Sequence, residues 1–351
     1  MSDAIAEKQF VGVDLHLHRS VIVRIDERGQ QLDCVQIDND PKALVREVRK
    51  AGRGAHVAIE AAYGWYWAVD ALQAAKFEVH LAHPYGMKAM RKRKRVKTDA
   101  RDAYELANLL RLGSLPEGYI APQDLRELRE LVRHRRQLTK TATSVKAQIR
   151  ALLAKHGIRL PASCLESQAG QDQLDAVHLP ECAAGRLESR RRLMMMLDNE
   201  IDALDVELDR RLKTHPGYRN LLKVKGIGPV LAAIFVVEIG DVTRFKTAEQ
   251  LACWAGITPR HNESDRTVRR GHISKEGCQL VRWAAVEAVQ RQCEPAVAKV
   301  REDLLARRGR QARNVAKVAA GRKMLEAVFY VLRDGQANFL TATPAATEQA
   351  A

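Results

Sequence analysis

The chain has 351 residues, 46% hydrophobic and only 5% aromatic, and a net charge of +15. That length suffices for two domains or a little more, and an Ala-, Leu- and Arg-rich composition leans helical. So basic a chain suits a polyanion, nucleic acid ahead of an anionic membrane surface, and no apolar run approaches the roughly 20 residues a spanning helix needs.

In chain order, the opening MSDAIAEKQF has no signal-peptide pattern. QFVGVDL, SVIVRID and LDCVQID are short β-branched runs separated by HLHR and ERGQQ, which predicts a three-strand meander. PKALVREVRKAG predicts a helix with proline in its first turn and glycine at its end. AHVAIEA is a fourth strand, YWAVDALQAAKF a helix, EVHLAH a fifth strand, and a further helix starts at Asp99. The order βββαβαβα, with helical crossovers before the fourth and fifth strands, implies parallel pairing there.

A long helix is predicted from Asp124 to His156, with Leu128, Ala142 and Ile149 at one heptad position and Leu131, Leu138, Val145 and Leu152 at the other; Arg135 interrupts the first series. A second heptad stretch runs from Leu187 to Leu212. The two could pack as a hairpin or pair with another chain. LLKVKGIGPVLAAIFVVEIG then predicts helix, glycine turn, helix, and AEQLACWAGI another helix. TPRHNESDRTVRRGHISKEG reads as a polar loop, CQLVRWAAVEAVQRQ and VAKVAAGRKMLEAVFYVLRDG as helices, and TATPAATEQAA as a disordered tail. Cys34, Cys164, Cys182, Cys253, Cys278 and Cys293 form no CxxC pair, which argues for reduced thiols in a cytoplasm and against a zinc site or a disulfide framework.

Four acids stand out. Asp14 ends an apolar strand, where a charge is costly without a partner. Glu60 ends VAIE in the same way. If these strands are parallel neighbours, both acids lie at the carboxyl edge, where open α/β sheets hold their ligands. Asp99 and Asp102 share a helix face and can reach that edge. Converging carboxylates call for a counter-cation, and Mg2+ or Mn2+ suits oxygen ligands and can clamp a phosphodiester. Alternatively, Asp99 is only an N-cap with Asp102 as the favourable N3 acid. The basic block just upstream, with Arg91, Lys92, Arg93, Lys94, Arg95 and Lys97, would steer the polyanion or merely form a solvated face.

VKGIGPV has the form of a helix-hairpin-helix turn: Gly226 and Gly228 permit tight backbone geometry, Lys223 and Lys225 add charge, and the next helix N-terminus can bind phosphate. The polar stretch holds Ser264 and Ser274 among Arg260, Arg266, Arg269, Arg270 and Lys275. Arginine forks suit a phosphoryl oxyanion. A serine nucleophile would need a base, for which His261 and His272 are candidates; a loop that binds phosphate without chemistry is the other reading. Trp254 and Trp283 are expected in the local core.

GVDLH, VAIEAAYGWY, KTDARDAYELA, VKGIGPVLAAIFVVEIGD, FKTAEQLACWAGITPR, NESDRTVRRGHISKEG and LVRWAA, in that order across most of residues 10–335, resemble the DEDD transposases of insertion sequences, recombinases with a serine nucleophile guided by a bridge RNA. The resemblance implies a RuvC-like domain of RNase H fold (residues 1–122), a helical coiled-coil region (123–213), a helical C-terminal transposase domain with the helix-hairpin-helix element (214–340) and a disordered tail (341–351). It places the four acids on Asp14, Glu60, Asp99 and Asp102. The nucleophile falls on Ser264, where the following residues depart from the family's small, Gly/Ser-rich pattern, so that Ser274 is the second candidate. It further implies a covalent phosphoserine link to DNA, donor and target DNA as partners, a structured non-coding guide RNA, and sites assembled from two protomers of a homodimer or homotetramer. The alternatives are a metal-dependent junction nuclease using water and a non-enzymatic nucleic-acid-binding scaffold.

Overall fold

The computed structural model describes residues 8–90, 98–159, 165, 167–264, 267–290 and 292–335, with backbone alone at 261, 262, 264 and 267–270. The chain forms two compact units, residues 1–120 and 121–351.

The first unit opens with β1 (Phe10–Leu15), β2 (Arg19–Ile25) and β3 (Gln31–Asp38) in an antiparallel meander. The β2–β3 turn is held by Asp26, whose Oδ1 accepts the N–H groups of Arg28 at 2.9 Å and Gln30 at 2.7 Å. Asp40 then caps α1 (Pro41–Arg49) by accepting the Ala43 N–H at 2.7 Å. β4 (His56–Glu60), α2 (Tyr66–Ala74) and β5 (Glu78–Ala82) follow, then α3 (Pro84–Met90), α4 (Asp99–Arg111) and the two-residue β6 (Glu117–Gly118). The sheet order is β3-β2-β1-β4-β5-β6, with β4 parallel to β1 and β5 parallel to β4. The expected parallel segment is present; α3 and β6 are additions, each too short to leave a periodic signal.

Alternation along the strands sorts the two faces. Val11, Val13, Val57 and Ile59 pack against Leu44 and Val48 of α1 and Leu72 of α2. Phe10, Val23, Ala58 and Ala82 pack on the opposite face against Ala103, Leu106 and Ala107 of α4. Gly12 lets α4 lie directly on β1, because a Cβ there would sit 1.9 Å from the Ala103 carbonyl oxygen.

The second unit is mostly helical. α5 (Gln123–Lys155) and α7 (Glu181–Leu212) pack together with α6 (Gln168–Asp175), burying Ala142, Val145, Ile149 and Leu152 with Leu174, Leu187, Met194 and Leu197. Of the two arrangements open to the heptad stretches, the chain forms the internal hairpin. Arg135, which breaks the apolar series, pairs with Asp205 of α7 at 2.7 Å.

α8 (Pro216–Leu221), α9 (Pro229–Ile239), α10 (Ala248–Trp254), α11 (Gln279–Ala288), α12 (Pro295–Arg308) and α13 (Arg313–Asp334) share one core. α12 was not marked by the sequence pattern, since Val297 is its one buried residue. The polar stretch expected as a loop is instead a hairpin of β7 (Pro259–Ser264) and β8 (Thr267–Ile273). Its arginines obscure an otherwise β-favouring Thr, Val and Ile content in TVRRGHI, and only two residues separate the two strands. The tail at 341–351 lies outside the described residues. Among the described residues no helix is long and apolar enough to cross a membrane.

Two arginines fasten α5 to α9. Arg129 donates to the Val237 and Glu238 carbonyls at 2.9 and 3.0 Å, capping the helix end. Arg133 grips the buried Glu238 carboxylate in a fork, Nε to Oε1 at 2.8 Å and a terminal nitrogen to Oε2 at 2.9 Å. Arg133→Met strands that carboxylate and will destabilise the helical unit by roughly 3 kcal/mol, read as an earlier guanidinium transition; Arg129→Met, which orphans only carbonyls, will cost less.

Candidate active site

The parallel register pairs Val13 with Ile59, so Asp14 and Glu60 are the next positions at the carboxyl ends of β1 and β4. Alternation puts both on the sheet face of Gly12 and Ala58, the face that α4 covers. At the head of α4 the cap is Thr98, whose Oγ1 accepts the Arg101 N–H at 3.4 Å. This corrects the cap reading of Asp99: it is the first helical residue, not the N-cap, and Asp102 lies one residue beyond N3. The helix N-terminus favours both as anions.

Asp14 and Asp102 are largely buried, while the Asp99 side chain is about one third exposed. Burial pushes the Asp14 pKa up, His16 opposes the rise, and the Asp102 and Asp99 charges add to it. His16 Nε2 lies 3.1 Å from Asp14 Oδ2 and 3.4 Å from Asp99 Oδ1, and a terminal nitrogen of Arg19 is 3.5 Å from Asp99 Oδ2. Ligand atoms of Asp14, His16 and Asp99 all fall within 4.8 Å of one another.

Sequence reasoning missed His16 and Arg19. The available signal was Asp-x-His at the end of a strand, where a period of two returns to the same face. Asn39 braces that turn, donating to the His16 carbonyl at 2.7 Å and accepting the Ser20 hydroxyl at 2.6 Å. The donor set, three mutually repelling carboxylates with Glu60 on the same edge and one imidazole, fits a hard divalent cation. The predicted acids of the first unit are thus gathered on one face and edge.

The predicted nucleic-acid contacts fare unevenly. Arg91, Lys92, Arg93, Lys94, Arg95 and Lys97 lie outside the described residues, as does Arg266. Between α8 and α9, Gly226 has φ +96°, and a Cβ there would stand 2.3 Å from the Ala288 carbonyl. Gly228 forms the N-cap of α9, and the Lys225 N–H donates to Glu294 Oε1 at 2.9 Å.

Ser264 is the last residue of β7 and pairs in register with Thr267 of β8; Arg269 and Arg270 are on β8 opposite Asn262 and His261. Arg260 is engaged by Glu276 at 2.6 Å. Ser274 donates its N–H to Thr258 at 3.0 Å, and Lys275, at φ +58°, donates its N–H to Gly256 at 3.1 Å. These bonds seat the hairpin base on the end of α10. Trp254 and Trp283 pack against the helical core as expected, with the Arg136 guanidinium 3.9 Å above the Trp283 ring.

The fold and site together define a mixed α/β unit with clustered carboxylates joined to a mostly helical remainder. The family model for the DEDD transposase of IS110 matches residues 11–158, and that for the IS116/IS110/IS902 transposase family matches residues 218–301. The chain belongs to the IS110 family of DEDD transposases. It is 28% identical over 193 residues to y4qE of Sinorhizobium fredii, a protein named as a transposase, covering 55% of this chain and 47% of that one. It is 26% identical over 232 residues to the "Probable family 20 transposase" of Pseudomonas aeruginosa, covering 64% and 67%. The transposase for insertion sequence element IS1111A of Coxiella burnetii is 23% identical over 202 residues, covering 55% and 54%. The chain therefore spans about half to two thirds of the length of these relatives. Among solved structures it is similar to T. thermophilus RuvC in complex with Holliday junction substrate, at 15% identity over 32% of this chain and 99% of that one, with a TM-score of 0.24.

Proposed function

We propose that the protein is a DNA transposase that cuts and rejoins DNA through a covalent phosphoserine intermediate, with divalent metal held by Asp14, Glu60, Asp99 and Asp102. What carries the reading is the gathering of buried and half-buried carboxylates at the carboxyl edge of β1 and β4, in a chain whose family is that of DEDD transposases. The sheet order β3-β2-β1-β4-β5, with β4 and β5 parallel to β1, supports the RNase H-like, RuvC-like domain that the resemblance implies.

Bound Mg2+ or Mn2+ would polarise the phosphate and lower the barrier to losing the serine proton. Asp14 and Asp102 would hold it, with Asp99 and Glu60 completing the acidic edge. His16 Nε2, within reach of Asp14 and Asp99, can hold a proton there. The Ser264 hydroxyl oxygen attacks phosphorus, the bond from phosphorus to the 3′ oxygen breaks, and the 3′-hydroxyl leaves with a proton. Arg266, Arg269 and Arg270 stabilise the charge on the phosphoryl oxygens. The phosphoserine ester conserves the bond energy, so rejoining to a new strand needs no nucleotide.

The same reading assigns residues 1–122 to the metal domain, 123–213 to a helical coiled-coil region and 214–340 to the transposase domain, in a protein that acts as a homodimer or homotetramer. The glycine turn at Lys225, Gly226 and Gly228 serves as a helix-hairpin-helix phosphate contact, and a structured non-coding RNA pairs with donor and target DNA. Ser264→Ala is expected to abolish the covalent protein–DNA adduct on denaturing gels while leaving nucleic-acid binding unchanged; an undiminished adduct would move the nucleophile elsewhere, Ser274 first. A water-using nuclease is the second reading, favoured by all four carboxylates lying within the first compact unit. Cleavage that survives Ser264→Ala with no adduct in the wild type would select it.

A further inference from the structure

A second cluster lies at the other end of the same parallel strands. His56 is the first residue of β4, Glu78 the first of β5, and the two are register partners; His80 follows Glu78 on the same face. Glu60 is four residues further along β4, roughly 13 Å away, so the two clusters are distinct.

The three ligand atoms form a nearly equilateral triangle. His56 Nδ1 and His80 Nε2 are 3.2 Å apart, His80 Nε2 and Glu78 Oε1 3.4 Å, and His56 Nδ1 and Glu78 Oε1 3.5 Å. Ligands about 2.0–2.1 Å from a tetrahedral Zn2+ stand about 3.3–3.4 Å from one another. The far nitrogen of His80 is also engaged: Nδ1 donates to Glu117 Oε1 of β6 at 3.0 Å. That bond fixes the tautomer that turns the Nε2 lone pair into the triangle, and a carboxylate behind a ligating histidine is a recurrent support of metal sites. Both rings are largely buried, and Phe10 lies against His56 with ring centroids 6.0 Å apart. The Glu78 side chain is 60% exposed, which leaves a fourth position open to water.

We propose that His56, Glu78 and His80 form a site for a borderline divalent metal, Zn2+ first, supported by Glu117 and tying β5 and the edge strand β6 to β4. Two imidazoles and one carboxylate select zinc over the hard ions that the four-carboxylate edge prefers. Cysteine spacing argues against zinc in this chain, but it does not register a site built from a glutamate and a histidine two residues apart on one strand and a histidine register partner on the next.

The test is Zn2+ titration of the untagged full chain in an Asp14→Asn, Asp99→Asn background, which removes the acidic cluster as a competitor. One equivalent is expected to bind, to raise the thermal midpoint, and to be replaceable by Co2+ with the visible absorption of a tetrahedral ion. Glu78→Gln and His80→Ala should each remove that equivalent; Glu78 is exposed, so its substitution leaves folding intact. Glu117→Gln should weaken binding about 10–100-fold without changing the stoichiometry. No stoichiometric Zn2+ in the starting chain, or an equivalent that survives both Glu78→Gln and His80→Ala, would overturn the proposal.

Discussion

Asp14→Asn is expected to lower DNA strand cleavage on the order of a thousandfold, about 4 kcal/mol of lost transition-state stabilisation, without unfolding the protein. The amide fills the same space beside Val21, its β1–β2 register partner, so packing is retained. What changes is charge. Asp14 is the most buried ligand candidate on β1, and its carboxyl is already pushed toward the neutral form by burial and by Asp102 and Asp99. Removing its charge relieves that repulsion, so the apoprotein should be as stable as the wild type or slightly more so while activity falls. Circular dichroism and thermal melting set against a cleavage assay separate the two effects. Loss of stability with unchanged cleavage would assign Asp14 a structural role. Asp102→Asn should behave alike, and the double substitution should cost little more than either alone, because the acids act as a unit.

Gly12→Ala is expected to do comparable damage from outside the acidic cluster. The added Cβ would lie 1.9 Å from the Ala103 carbonyl oxygen and 2.7 Å from the Ala107 nitrogen, both helix backbone that no rotamer change can move. α4 must lift off β1 as a body, at a cost of roughly 3 kcal/mol. Asp99 and Asp102 ride on that helix while Asp14 stays on the strand, and a shift of about 1 Å between such groups can cost about a hundredfold in rate. Gly185→Ala is the contrast: a Cβ there meets nothing within 4 Å in the second turn of α7, and the change should stabilise by up to about 1 kcal/mol. If the two alanine variants behaved alike, the close seating of α4 would not be what assembles the site.

The sheet and its acidic edge were legible because each carried a local signal. Asp14 and Glu60 each end a run of apolar β-branched residues, and the crossover helices between those strands require parallel pairing, so both acids had to share an edge. Asp99 and Asp102 were legible by helical spacing. Gly12 was less so: a lone glycine in a strand signals a close approach but not which element makes it, and the answer, α4, lies some ninety residues on. His16 was missed because it stands just past the last strand residue, where its contact with Asp99 depends on a turn braced by Asn39. The β7–β8 hairpin was read as a loop because its charge hid its alternation. The histidine pair of the second cluster was invisible for a similar reason: His56 and Glu78 meet only through strand register, which no spacing along the chain reveals.

The central claim is that the carboxylates at the ends of β1 and β4 and the head of α4 hold a divalent ion. Mn2+ titration followed by electron paramagnetic resonance tests it most directly, using the full chain, Asp14→Asn with Asp102→Asn, and His80→Ala. The account predicts tight Mn2+ binding that is lost when Asp14 and Asp102 are neutralised and is retained in His80→Ala. Binding of equal stoichiometry and affinity in the Asp14→Asn, Asp102→Asn protein would contradict it.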